Sequence, residues 1–352
     1  MSRRTGDSSL LPWPARLVMA TLCVVAPLAL VEVGLRYATG PFFPEGSPFE
    51  DFRWMAFDPV LGWRNIPGFR DEALGEAGFS INSLGFRGPE IERSSGRGTR
   101  RIALLGDSGT FGVRRTQNGD WVPVTSYPRY LARRLAREGI AGVELVNAGV
   151  VGYSTSHGLR QLAIQILPLE PDVVAFRFGA NDVTPSWDPS RRALEPDSRL
   201  ARALLYRLHD GRLFRLALTA WMRVDGIHPE PHSVPWVSNE RHRRNLERMV
   251  ELTRASGAQP LFLDYPVGPP APGSAVIALR IRRGLPELED IQRAVALELG
   301  VQRVDTAAGF EALPTPFERD DNVHPSDEGM QWIADRLFER LMELGWLGRE
   351  DA

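Results

Sequence analysis

At 352 residues, 43% hydrophobic and 24% charged, the chain has a globular composition and is long enough to bury a large core in one or two domains. A formal net charge of −2 gives no electrostatic reason to expect a nucleic-acid partner. The single cysteine, Cys23, excludes an internal disulfide and any cysteine-rich metal site.

Residues 1–11 are polar and include Arg3 and Arg4, and residues 17–31 are uncharged and mostly apolar. Extending the apolar stretch to Leu35 brings it to the roughly 20 residues that a spanning helix needs. Trp13 and Tyr37 stand where interfacial anchors belong, about 36 Å apart at helical rise. Because Arg3, Arg4 and Arg16 precede the segment, the N-terminus is expected in the cytoplasm and the rest of the chain in the periplasm or outside the cell. Residues 1–38 are thus read as a cytoplasmic tail and single-pass membrane anchor. A cleaved signal peptide is the main alternative, but no small-x-small site follows the apolar run. A buried first helix of the globular domain is the other.

Residues 40–48 are rich in Gly and Pro and read as a linker. Residues 58–64 and 82–88 read as short strands and turns of a small lead-in subdomain over 39–99. Within it, Trp63, Phe86 and Arg87 are expected to pack, with Arg87 in a surface ion pair.

From Arg100 to the end, apolar strands alternate with helical periodicity, which predicts an α/β fold with a parallel sheet. The first strand, Ile102–Leu105, stops at Gly106-Asp107-Ser108-Gly109. A serine held in such a turn is a candidate nucleophile if a histidine reaches it, and equally a plain helix cap. A helix over 127–139 and a strand over 143–146 follow, then a glycine-rich turn, 147–154. A helix is expected over 159–167 and a third strand over 173–178, closed by Gly179-Ala180-Asn181-Asp182. Arg177 inside that strand needs a buried carboxylate partner, or else a strand face open to water.

A parallel sheet gathers the three loops at one edge. There Ser108 and Gly152 can offer backbone N–H groups, and Asn181 its amide, to a carbonyl oxygen turning negative. A tight turn at Gly152 and an Asx-turn at Asn181 explain the same residues without chemistry. Amphipathic helices over 200–220 are read as a partial lid or as core. His228 and His232, in a Pro-rich loop with few carboxylates nearby, make a poor metal site, so no metal and no cofactor is expected. Further helices are predicted over 239–256 and 288–299, strands over 261–263 and 301–304, and a last helix from Pro325 to about Leu344. Asp321 and His324, three apart before that helix, can be aimed the same way by one turn. Asp321 could then fix the imidazole tautomer and leave the other nitrogen for Ser108. A solvated loop acid and a helix-cap histidine are the plain alternatives.

Gly106-Asp107-Ser108, the turn ending at Gly152, Gly179-Ala180-Asn181-Asp182 and Asp321-Asn322-Val323-His324 together resemble the four sequence blocks of the SGNH/GDSL hydrolase superfamily, in order and spacing, across about residues 100–345. The resemblance implies a flavodoxin-like three-layer α/β/α sandwich with a mainly parallel five-stranded sheet over 100–352. It also implies Ser108 as nucleophile, His324 as base, Asp321 as its orienter, and an oxyanion hole of Ser108, Gly152 and Asn181. The apolar N-terminal segment, Gly62-Trp63-Arg64 and residues 82–87 resemble membrane-anchored bacterial members. Gly109 departs from the family motif, which has Leu there.

The expected function is a serine ester hydrolase working through an acyl-enzyme outside the cytoplasm. One alternative is an O-acyltransferase or acetylesterase acting on envelope or exported polysaccharide, and another is an idle scaffold in an envelope complex. The expected partners are the membrane, through the N-terminal helix, and a small-molecule or glycan ester. No protein partner is specified, and the loops that would shape the substrate site, 185–199 and 226–238, carry no readable motif.

Overall fold

The computed structural model describes residues 12–38, 52–58, 60–71, 73–74, 79–96, 98–184, 200, 204, 207–208, 211–224, 237–268, 276–319, 321 and 323–347. The 40–48 linker, the loops 185–199 and 226–236, and with them His228 and His232, lie outside the described residues.

The long N-terminal segment forms one helix, α1 (Trp13–Ala38), with its apolar side chains exposed. The most apolar 18-residue stretch of Trp13–Tyr37 has a mean hydropathy of 2.2, and the helix is long enough to cross a membrane. Two short antiparallel strands follow, β1 (Met55–Asp58) and β2 (Gly62–Asn65). Asp58, buried at the end of β1, accepts the Val60 and Leu61 N–H groups at 2.8 Å each and closes the turn.

The main sheet is built from β3 (Arg100–Gly106), β6 (Val143–Gly149), β7 (Val173–Arg177), β8 (Gln259–Leu263) and β9 (Gln302–Val304). All neighbours are parallel, in the order β6-β3-β7-β8-β9. Counted within the sheet, this is the 2-1-3-4-5 order of a flavodoxin-like fold, whose strand order reverses between β3 and β7.

The period-2 alternation of β3 explains the layers. Ile102 and Leu104 face one side, in a core with Tyr127 and Leu131 of α3 (Tyr127–Arg137) and Met330 and Ile333 of the last helix, α8 (Asp327–Glu343). Ala103 and Leu105 face the other. There they share a core with Leu246 and Met249 of α6 (Asn239–Ala255) and Val295 of α7 (Val276–Leu299). That second core continues without a break into the lead-in residues Trp54, Trp63, Phe79 and Phe86. Trp54 stacks on Phe111, with ring centroids 5.6 Å apart. Each such buried side chain contributes about 1.5–3 kcal/mol.

Several elements differ from the sequence reading. Helix α4 begins at Thr155 and runs to Gln161, followed by a π-turn at Leu162–Ile166 and a 3₁₀ turn at Leu167–Leu169. Ser154 and His157 fix its start: the Ser154 hydroxyl pairs with the His157 ring and its N–H donates to Nδ1. Helix α7 starts nearly three turns before Pro286 rather than after it, because Ile281, Leu285 and Leu288 lie on one buried face across the proline. An unanticipated hairpin, β4 (Val113–Arg115) and β5 (Trp121–Pro123), follows the nucleophile turn. Arg87 does not lie at the surface as expected. It is buried, donating to the carbonyls of Phe111, Gly112 (2.7 Å) and Val124 (2.6 Å).

Helix α5 (Arg212–Val224) joins α1 to the lead-in strands. Glu32 of α1 caps it, accepting the Arg212 and Leu213 N–H groups at 2.9 and 2.8 Å. Arg215, one turn on, is ion-paired with buried Asp58.

Candidate active site

Ser108 opens α2 (Ser108–Phe111), the four-residue helix directly after β3. Asp107 caps that helix, accepting the Gly109 N–H at 2.9 Å. The loop before α8 brings His324 to the same edge, where Nε2 lies 2.8 Å from Ser108 Oγ. Nδ1 lies 2.6 Å from Asp321 Oδ2, and Asp321 Oδ1 accepts the Val323 and His324 N–H groups at 2.7 and 3.0 Å. Ser108, His324 and Asp321 therefore form one continuous line.

The electrostatics follow from this geometry. Burial works against ionisation of Asp321, but the charge and ring hydrogen bond of His324 and the two backbone donors overcome it, and its carboxyl sits below the usual range. Burial likewise works against the imidazolium of His324, but the Asp321 charge and hydrogen bond prevail and raise its pKa. Trp121, on β5, meets the His324 ring edge-on with centroids 5.0 Å apart.

Gly152 and Asn181 come to the same edge by different supports. Gly152 has φ +82°, the left-handed region in which a side chain is strained. Its turn is tied to the lead-in strands: Trp63 Nε1 donates to the Val151 carbonyl at 2.8 Å, and Tyr153 OH donates to the Trp63 carbonyl at 2.6 Å. Asn181 Nδ2 donates to the Tyr153 carbonyl at 3.1 Å and to Asp107 Oδ2 at 3.3 Å. Behind it, fully buried Asp182 accepts the Thr155 N–H at 3.1 Å and contacts His242 Nδ1 at 3.2 Å. The loop after β7 and the start of α4 are thereby locked together.

Among the described residues, no group of three or more His, Cys, Asp and Glu side chains could hold a metal ion. Residues 104–332 match the family model for GDSL-like lipases and acylhydrolases.

The chain belongs to the GDSL-like lipase/acylhydrolase family. Membership makes it an enzyme acting on ester bonds. No curated protein matches it. Similar solved structures include a lipase/acylhydrolase from Enterococcus faecalis, at 19% identity and TM-score 0.46, covering 70% of this chain and 97% of that one. An α/β hydrolase from the metagenome of Lake Arreo, Spain, is 22% identical at TM-score 0.44, covering 71% and 97%. A catalytic mutant of an acetylxylan esterase from Geobacillus stearothermophilus is 18% identical at TM-score 0.43, covering 71% and 97%.

Residues to which the sequence reading gave no catalytic role also reach the site. Asp107 is a hub for three donors: Gly109 N–H, Asn181 Nδ2 and, at 3.3 Å, Tyr265 OH. Arg177 is buried, so its strand face is not open to water, and its guanidinium lies 3.9 Å from the Tyr265 ring centroid. Trp121 had one signal in the sequence, the Asn118-Gly119 turn of its hairpin. Asp107 stood in the Gly106-Asp107-Ser108 block without a role of its own, and Tyr265 had no signal beyond its place after a strand.

Proposed function

We propose that this family member is a serine ester hydrolase in which Ser108 attacks the acyl carbonyl and His324 takes the hydroxyl proton. The 2.8 Å approach of His324 Nε2 to Ser108 Oγ carries the reading, because it puts a base against the hydroxyl that must lose its proton. Asp321 holds Nδ1 protonated and favours the imidazolium that forms. As Ser108 Oγ bonds to the carbonyl carbon, the carbonyl oxygen becomes negative and meets the Ser108 and Gly152 N–H groups and the Asn181 amide. Both hydrogens of that amide have acceptors in the resting site, so Asn181 releases its longer bond, the 3.3 Å contact to Asp107, to reach the oxyanion. The imidazolium then gives its proton to the departing alcohol. Water, deprotonated by His324, attacks the acyl-enzyme and frees the acid and Ser108.

We further infer that α1 is a retained membrane anchor with its N-terminus in the cytoplasm and the catalytic domain outside. The exposed apolar helix and the arginines before it support this reading. So does the Glu32 cap on α5, which cleavage after the apolar run would remove.

Labelling with a fluorophosphonate probe tests the mechanism. Wild type should be labelled on Ser108, and Ser108→Ala should fold, escape labelling and lose nearly all esterase activity. A folded, fully active Ser108→Ala variant would overturn it. N-terminal sequencing of the membrane-bound protein tests the anchor; a mature chain starting beyond Ala38 would refute retention.

A further inference from the structure

Two departures in the sequence, a glycine where the family motif has Leu and an arginine inside an apolar strand, meet in space. A Cβ built on Gly109 would lie 2.2 Å from Arg177 Nη1 and 3.3 Å from its Cζ. The guanidinium thus fills the volume that a side chain at 109 would need, directly behind the nucleophile turn. Arg177 is 0% exposed. Among the described residues, none of its Nε, Nη1 and Nη2 atoms has a hydrogen-bond partner. A buried guanidinium without hydrogen bonds is costly. It therefore needs a compensating charge, and the carboxylate beside it is Asp107.

We propose that Arg177 is a positioning residue: matched to Gly109, it neutralises the Asp107 carboxylate, the hub that aims Asn181 and the Ser108 turn. The inference rests on the serine-hydrolase reading above. An uncompensated carboxylate next to Ser108 would repel the oxyanion and hold the proton on His324. Burial drives the Asp107 carboxyl upward, and the Arg177 charge is the largest force opposing it. The same charge works against the imidazolium of His324. The other titratable groups facing Asp107 and Arg177 are His324 and the Tyr265 and Tyr127 hydroxyls, while Asp321 and Glu318 act on His324. Tyr265 presents its ring to Arg177 and its hydroxyl to Asp107, closing a triangle around the buried charge.

The test uses the full-length protein in detergent and reads the fluorophosphonate labelling rate of Ser108 against pH. Arg177→Met keeps most of the bulk and removes the charge. It should slow labelling at neutral pH about tenfold and move the acidic limb up by about one pH unit. Arg177→Lys should keep the limb near its wild-type position. Gly109→Ala, which must displace the guanidinium, should shift the limb the same way, and combining it with Arg177→Met should add little. A pH profile unchanged in Arg177→Met, or effects of the two sites that simply add, would overturn the proposal and leave Arg177 as filler. If Arg177→Met fails to fold, Gly109→Ala and Arg177→Lys decide by the same criterion. A wild-type protein that is not labelled would instead overturn the nucleophile reading. The pairing is then decided by melting temperature: between about pH 5 and 8, Arg177→Met should lose stability faster than wild type. Parallel curves would overturn it.

Discussion

Trp63→Phe isolates what the lead-in strands do for the site. Trp63 is buried, and its Nε1 donates to the Val151 carbonyl, one residue before Gly152. The substitution leaves that carbonyl without its donor, which costs about 1–3 kcal/mol. It also opens a space where the outer six-membered ring of the indole stood, worth about 1 kcal/mol. The stability loss should therefore be about 2–4 kcal/mol, seen as a fall of several degrees in melting temperature. The catalytic consequence is separate. Removing one oxyanion donor outright typically lowers kcat by about 10²–10³. A Gly152 N–H loosened but still present should lower it by about tenfold, with KM little changed. The assay is steady-state hydrolysis of p-nitrophenyl acetate, with thermal melting alongside. Tyr153→Phe, which removes the 2.6 Å bond to the Trp63 carbonyl, should move both quantities in the same direction. A melting temperature that falls while kcat stays within twofold would refute the argument, since the strands would then stabilise the fold without aiming the turn.

Two further outcomes follow from charge. With its pKa raised above the ordinary imidazole value, His324 should give kcat/KM an acidic limb above about pH 6.5, and activity should climb as the ring loses its proton. The stability that its proton contributes runs the other way, present below the unfolded pKa and lost as pH rises through the folded one. Asp321→Asn should move the limb down and cut activity by orders of magnitude, as seen in a pH–rate profile. Glu289, buried and next to Asp264, is pushed up to about 8 and carries a proton at neutral pH, while its Oε1 accepts the Tyr265 N–H at 3.0 Å. A carboxyl raised on folding lowers stability as pH climbs from its unfolded pKa to its folded one. Glu289→Gln should therefore raise the melting temperature, by little at pH 5 and by a few kcal/mol equivalent at pH 8 to 9.

The sheet was legible because most of its strands carry a short apolar run ended by a turn signal, and Ile102–Leu105, like Val173–Phe176 and Leu261–Leu263, alternates between two cores. The candidate site was legible for a related reason: residues capable of chemistry stand beside glycines where strands end, and a parallel sheet collects those ends. Other features have no local signature. Helix α7 passes through Pro286 because burial of Ile281, Leu285 and Leu288 outweighs a local breaker. Strands β4 and β5 are three residues each, too short for periodicity. Arg87 looked like a surface residue, and only the tertiary fold shows it binding three carbonyls. Arg177 was conspicuous as a charge in an apolar strand, yet Gly109, which makes room for it, is 68 positions away in the chain.

The contacts running from Glu32 through α5, Arg215 and Asp58 to the β1–β2 strands end at the turn that holds Gly152. A soluble version trimmed at residue 39 would start α5 with two bare N–H groups and a looser hold on Asp58. Kinetic constants from such a fragment would describe a relaxed catalyst, slower than the full-length protein, and working rates are best taken from the chain that keeps α1.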